Sequence, residues 1–410
     1  MHYVIIGNST AAIGCVEGIR QADGEGRVTL IAAEPWHTYS RPLISYLLQG
    51  KVDEEHMKYR PDDFYRQNGC SAMLGRTAEA IDAAAKKIRL KGGQTVSYDK
   101  LLVSTGSRPF TPPMEGLDTV AAKFFFMSLA DARALAAALE PGGKRVFIVG
   151  AGLIGLKCAE GISGRAQSIT VVDLAPRILP SILDEDGSAI VREHIEGQGV
   201  KFYLGRSVSR FEGNKAVLTD GTEVEFDILV LAVGVRPNTE LVRDAGGKVG
   251  RGIVAGSRGE TTLPDVYAAG DCVESWDITA GEARVLAVLP NAYRQGECAG
   301  LNMAGADKEI TDAFPLNAIG FFGLHMVTAG SYDGESYTRR SGRDYKRLVC
   351  EGDRLKGFIL IGPVERAGIY TALIRKQTPL SSIDFELIKE KPQLMAFSRQ
   401  ERAKQLGGRV

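Results

Sequence analysis

Apolar residues come along this chain in short, dense runs that stop abruptly at glycine. The clearest is Val146-Phe-Ile-Val149, which runs into Gly150-Ala-Gly152-Leu-Ile-Gly155. A run that short, apolar throughout and rich in β-branched residues, predicts a strand buried on both faces. A helical spacing follows, then a second strand-like run from Ser168 to Val172, closed by Asp173. Strand, glycine turn, helix, strand and acid in this order form the dinucleotide-binding fingerprint with its context intact. Gly150 makes the tight turn, Gly152 lets the backbone approach a pyrophosphate, and Gly155 lets helix and strand pack closely. Leu153 and Ile154 open the helix, whose positive dipole end faces the phosphates. Asp173, eighteen residues past Gly155, stands where a carboxylate accepts the hydroxyls of an adenosine ribose.

The same pattern opens the chain in a relaxed form. Residues 3–6 are an apolar strand that stops at Gly7-Asn-Ser9-Thr10-Ala11-Ala12, with Ser9 and Ala12 at the second and third glycine positions. A helical stretch to about Ala22 and a strand over residues 28–32 follow, and Glu34 takes the place of the ribose-binding acid. An offset of 143 maps Gly7, Ser9 and Ala12 onto Gly150, Gly152 and Gly155, and Cys15, Glu17 and Gly18 onto Cys158, Glu160 and Gly161. Further on, the stretch from Asp99 to Gly106, followed by Arg108-Pro109, parallels that from Asp227 to Gly234, followed by Arg236-Pro237. A hairpin-like meander precedes each. Such self-similarity marks a duplicated unit, so two dinucleotides are expected. Thr105, Gly106 and Arg108 in one copy, and Val233 and Gly234 in the other, are expected to border them.

Length and charge refine this picture. A chain of 410 residues suggests two or three domains. Fifty basic residues balance fifty acidic ones, which gives no signal for nucleic acid or an anionic membrane. No apolar run approaches the roughly 18–20 residues of a membrane span. The N-terminus enters a strand without a basic region or cleavage site, so a cytoplasmic protein is expected. The six cysteines form no CxxC or CxxxxC pair and read as small buried hydrophobes. The five histidines show no ligand spacing, and no structural metal is expected.

The tandem fingerprints resemble the two-dinucleotide-binding-domain flavoproteins, the pyridine nucleotide-disulfide oxidoreductase superfamily. The resemblance implies an α/β fold with two Rossmann-like domains, FAD on the first and NADH or NADPH on the second, plus a C-terminal α+β interface domain. Thr105-Gly-Ser-Arg-Pro109 is similar to the family segment where the chain leaves the FAD domain. The stretch from Thr261 to Cys272 resembles its second FAD motif, in which Gly270 opens a strand end and Asp271 bonds the ribityl chain. The helix start Leu289-Pro290-Asn291-Ala292 then points at the flavin pyrimidine edge. These matches imply an FAD domain over residues 1–109 and 236–310, an NAD(P)H domain over 110–235, and an interface domain over 311–410 that usually packs a homodimer.

Between the fingerprints, the stretch from Tyr39 to Lys51 separates subgroups. Disulfide reductases carry a cysteine pair here, and NADH oxidases and peroxidases carry one redox cysteine, at the place of Pro42. Ser40-Arg41-Pro42-Leu-Ile-Ser45 instead resembles ferredoxin and rubredoxin reductases and the flavoprotein part of NADH-nitrite reductases. In that setting Arg41 lies near the flavin phosphates or ribityl chain. Those reductases usually carry Lys and Glu where this chain has Tyr46 and Lys157, so Lys157 is the candidate cation near flavin N5; its bland alternative is a solvated residue on a first helix turn. In the C-terminal region, the segment that supplies a Trp over the flavin offers only Leu316 and Asn317, and Phe321 and Phe322 read as core. A β-hairpin is expected about Glu351-Gly-Asp353, a helix over residues 366–376, and a charged tail over 397–410 that frays.

The implied activity is an FAD-dependent NAD(P)H oxidoreductase that passes electrons to a small redox protein, such as rubredoxin, or to a nitrite-reductase partner. Alternatives are an NADH oxidase reducing oxygen directly, and a flavin-bound redox sensor or scaffold with little turnover. NADH is favoured because Asp173 repels a 2′-phosphate, while Arg177 nearby leaves NADPH open.

Overall fold

The computed structural model describes residues 1–405, with side chains to residue 403. Two five-stranded parallel sheets carry the repeat. In the first the order is Val266–Ala268, Lys100–Val103, His2–Ile6, Arg27–Ala32, Cys70–Leu74. In the second it is Lys123–Phe124, Ile228–Leu231, Arg145–Val149, Ser168–Asp173, Val200–Leu204. Each fingerprint strand is central in its sheet and almost wholly buried, which is why it reads as unbroken apolar sequence. The direction of winding reverses at that strand, so the crevice at its C-terminal end is a topological switch point.

The fifth strand differs between the copies: residues 266–268 return from far along the chain, whereas residues 123–124 come from the segment entering the second unit. A three-stranded meander accompanies each sheet. One is built from Ala78–Asp82, Lys87–Leu90 and Thr95–Ser97, the other from Val208–Glu212, Lys215–Leu218 and Glu223–Glu225.

The chain crosses between the units twice, and the crossings pair with each other. Ser107–Pro109 runs antiparallel to Val235–Pro237 with Arg108 opposite Arg236. Asn238 locks the crossing: its side-chain amide donates to the Thr105 carbonyl at 2.9 Å, and its own carbonyl accepts from Thr105 Oγ1 at 2.7 Å.

The C-terminal unit is a five-stranded antiparallel sheet in the order Leu316–Phe321, Leu324–Gly330, Arg354–Ile361, Asp344–Glu351, Glu335–Ser341, with helix Ala367–Arg375 packed on it. The hairpin at Glu351 is present, as is the helix. Phe321 is fully buried and joins Met326, Tyr345, Ile359 and Ile361 in the core of the second α/β unit, alongside Ile44 and Leu48 of the first. The tail departs from expectation: Arg399–Gln405 is helical, with the Glu401 N–H donating to Ser398 Oγ at 3.2 Å. Residues 406–410 of that tail lie outside the described residues. No helix among the described residues is long and apolar enough to cross a membrane.

Candidate functional site

The first sheet's switch point opens into a cleft of about 460 Å³. Its wall gathers segments far apart in sequence: Gly7 to Ala11, Glu34, Arg41, Thr105-Gly106, Gly270-Asp271 and Ala292. Gly7 has φ +126°, and a Cβ there would lie 2.3 Å from the Ser104 carbonyl oxygen, so only glycine makes this turn. Ser9 is the N-cap of helix Thr10–Ala22 but its side chain makes no capping bond, which leaves first-turn N–H groups facing the cleft.

A second helix, Leu289–Met303, aims its N-terminus at the same cleft. The two helices cross on glycines from both sides. A Cβ on Gly14 would meet the Tyr293 carbonyl oxygen at 2.4 Å, and one on Gly296 would meet the Ala11 carbonyl oxygen at 1.9 Å. Small residues thus bring two positive helix ends close together, one beside the fingerprint turn and one across the cleft.

Asp271 follows Gly270, whose φ is +87°. Burial pushes its carboxyl above the ordinary value, with Arg41 pulling partly back. It makes no side-chain hydrogen bond among the described residues, so its acceptors are free for a polyol. His37 Nε2, at the cleft wall, is likewise buried without a partner. A glycine cradle, two open helix ends, an unspent carboxylate and an unspent ring nitrogen fit a dinucleotide bearing a sugar alcohol.

Other expected residues are placed differently. Glu34 already holds two donors, Arg41 Nη2 and the Tyr39 hydroxyl, the latter at 2.8 Å. Against the burial that would lower it, Tyr39 and Glu34 hold the Arg41 pKa above its ordinary value. Pro42 is exposed at the start of a 3₁₀ turn and does not line the cleft, nor does Pro290 in the first turn of its helix. Asn291 is 5% exposed and donates to the Phe314 carbonyl at 3.0 Å, so its side chain serves the C-terminal unit. Arg108 reaches Asn238 Oδ1 and Glu240, both at 2.7 Å. Ala12 is buried beneath the turn. Asn8, Trp36, Tyr39, Met127 and Asn238 line the cleft without having been singled out. Asn238 had a signal, since it follows the repeated Arg-Pro step; Met127 comes from the other α/β unit and had none.

In the second unit, Gly150 has φ +116° and would place a Cβ 2.2 Å from the Ala232 carbonyl oxygen, while Gly155 would place one 1.9 Å from that of Gly150. Gly152 has open space around it, as a backbone approached by a ligand requires. Leu153 and Ile154 begin helix Leu153–Ile162 and are half-buried. Asp173 accepts the Ala151 N–H at 2.6 Å and the Ala175 N–H at 2.8 Å, which fixes the carboxylate against the glycine turn with lone pairs to spare. Val233 and Gly234, φ +108°, follow the neighbouring strand.

Lys157 is not solvated. Its ammonium is paired with Glu160, lies 3.3 Å from the Gly320 carbonyl oxygen, and sits 4.8 Å from the Tyr46 ring centroid. Lys157 and Tyr46 therefore meet through a cation–π contact. Glu160, 4% exposed, also accepts the Phe322 N–H at 2.9 Å. All six cysteines are free, and burial pushes the Cys70 and Cys298 thiols up to about 11.

Comparison with known proteins places the chain in a family. The family model described as pyridine nucleotide-disulphide oxidoreductase matches residues 1–296. The chain is 31% identical to the NADH-dependent phenylglyoxylate dehydrogenase subunit epsilon of Aromatoleum evansii, over 93% of each chain. It is 34% identical to an NADH oxidase of Methanocaldococcus jannaschii, over 75% of this chain and 71% of that one. Its fold matches a chain in the putidaredoxin reductase–putidaredoxin complex with TM-score 0.87 at 23% identity, covering 100% and 99% of the two chains. The chain belongs to the pyridine nucleotide-disulphide oxidoreductase family and is an oxidoreductase that binds FAD and NAD(P)H.

Proposed function

We propose that this protein takes hydride from NADH and delivers electrons to a separate redox protein, rubredoxin-like or a partner subunit bearing its own redox centre. One observation carries this reading: at the place where oxidases and peroxidases of this family keep a redox thiol, the chain has the exposed Pro42. Five of the six cysteines are buried, so the chain offers no thiolate relay near that position. Similarity along nearly the whole length to a relative named as a subunit of an NADH-dependent dehydrogenase supports a protein acceptor.

In this reading residues 1–109 and 236–310 hold FAD, residues 110–235 hold NAD(P)H, and residues 311–410 pair two copies in a cytoplasmic homodimer. When bound, FAD supplies the redox chemistry that the side chains lack, accepting hydride and releasing electrons. The chain aligns and balances charge. Helix ends at Ser9 and Gly152 hold pyrophosphates, Asp271 takes a ribityl hydroxyl, and Asp173 selects a ribose without a 2′-phosphate. The N-terminus of helix Leu289–Met303 offers positive potential where reduction adds negative charge. Lys157, with Glu160 as counter-charge, stands beside Tyr46 as the candidate group next to the transferred hydride.

The test is an anaerobic panel of purified rubredoxins and ferredoxins against oxygen uptake, all driven by NADH. A protein acceptor reduced at least about tenfold faster than oxygen is the expected result. Oxygen uptake matching the best protein acceptor would favour the second reading, a direct NADH oxidase, to which the M. jannaschii relative lends support.

A further inference from the structure

The carboxylate assigned to the adenosine ribose is wired to the other α/β unit. Tyr39 donates its hydroxyl hydrogen to Glu34 at 2.8 Å, and the same oxygen accepts the Leu129 N–H at 3.0 Å. Arg41 holds Glu34 through one terminal nitrogen, and donates through the other to the Met127 carbonyl at 3.2 Å. Met127 and Leu129 flank Ser128, the N-cap of helix Leu129–Leu139, where a capping box with Asp131 makes the helix start rigid. One turn further along that helix, Arg133 stacks 4.3 Å from the centroid of Trp36, another residue of the cleft wall. A single helix start of the second unit is therefore fastened to Tyr39, Arg41 and Trp36 of the first, and through Tyr39 and Arg41 to Glu34.

We infer that Tyr39 and Arg41 are positioning residues that couple occupancy of the adenosine half of the FAD cleft to the placement of the NAD(P)H-binding unit. The inference rests on the reading that Glu34 takes the diol of an adenosine ribose. Each Glu34 oxygen accepts one protein hydrogen and keeps lone-pair capacity for a ribose hydroxyl. Bound hydroxyls fix the carboxylate rotamer. That in turn fixes the Tyr39 hydroxyl, whose oxygen accepts the Leu129 N–H, and the guanidinium that holds Met127. A diol at one end of the cleft thus tightens a helix start that belongs to the other nucleotide's unit.

The experiment uses the full chain, as the FAD holoenzyme and after flavin removal, with ADP added to the flavin-free protein as a probe of the adenosine half alone. Amide exchange is followed over residues 127–133, with residues 136–139 of the same helix as reference. In wild type, ADP slows exchange at 127–133 by about tenfold relative to the reference, the scale of one retained hydrogen bond. In Tyr39→Phe, ADP binds within about threefold of wild type, but the slowing falls below about twofold. Equal slowing in both proteins overturns the coupling, as does bound ADP without slowing in wild type. Failure of both FAD and ADP to bind would instead overturn the reading of the cleft, and the inference with it.

A second measurement needs no flavin removal. In anaerobic stopped-flow reduction of the holoenzyme, Tyr39→Phe lowers the limiting rate by about fivefold or more, with the NADH Kd within about twofold, because alignment and not nucleotide contact is lost. An unchanged limiting rate overturns the proposal.

Discussion

At Asp271, burial disfavours the same negative charge that a ribityl hydroxyl would reward. Asp271→Asn is therefore expected to raise the unfolding midpoint of the flavin-free chain at neutral pH while weakening FAD binding by about tenfold or more. The native pKa lies above the unfolded one, so the penalty is absent where both states are protonated. It grows as pH climbs from the ordinary value of 3.8 through the raised one. The stability gap between the two proteins should thus close as pH falls through that window, which thermal melts of flavin-free protein would show. Lys157 poses a different residue-scale problem, because removing it strands a carboxylate. Lys157→Ala should cost about 3 kcal/mol by leaving Glu160 buried and unpaired, and adding Glu160→Gln should restore part of that loss. With stability restored in this way, anaerobic NADH reduction as fast as wild type would remove Lys157 from the reaction. The spacing points to Asp173, but not to its bonds with Ala151 of the glycine turn and with Ala175 just beyond it, because both donors are main-chain N–H groups of ordinary residues.

Among the elements, the crossing of helices Thr10–Ala22 and Leu289–Met303 decides the shape of the cleft. Gly296→Ala would drive a methyl into the Ala11 carbonyl and should cost about 2–3 kcal/mol with loss of bound flavin. Gly24→Ala, in open space, should change stability by less than about 0.5 kcal/mol, and denaturant melts with flavin absorbance would compare the two. The strand–turn–helix–strand units could be read from the sequence because they bury continuous apolar runs and turn at glycine. The strand Glu335–Ser341 could not, since it lies at a sheet edge, almost wholly exposed, and is held by backbone pairing to Asp344–Glu351. The turn at Phe322-Gly323 was hidden for another reason. Both residues have positive φ, at 49° and 84°, a conformation that usually announces itself as Asn-Gly. A phenylalanine there costs about 1–2 kcal/mol, offset by Glu160 accepting its N–H and His194 Nε2 meeting its carbonyl at 3.1 Å. The signal for this turn lies 128 residues or more away in the chain, in the second fingerprint helix and beyond.

For the whole molecule, the coenzyme preference follows from how the second unit presents its acid. With Asp173 pinned beside the Gly150 turn, a nucleotide held there as proposed would bring a 2′-phosphate against a fixed negative charge, so kcat/KM with NADH should exceed that with NADPH by about tenfold or more. Steady-state rates with both nucleotides check this, and a strong preference for NADPH would remove Asp173 from the argument. The two α/β units were legible because duplication repeats both glycine turns and Arg-Pro steps; the seams were not, because Tyr46, Lys157 and Gly320 meet from three distant segments. The paired crossings have an evolutionary reading. Residues 110–234 leave and re-enter through neighbouring strands, with Pro109 opposite Val235, so the intervening stretch is a cassette whose two ends are already adjacent. Excision would be topologically simple but would strip the cover from Ile44, Leu48, Phe321 and Ile361, which share its core. Exchange is the permitted move: a homologous cassette with the same apolar face and the same Met127–Leu129 helix start can replace it while the other segments of the first cleft stay joined as they are.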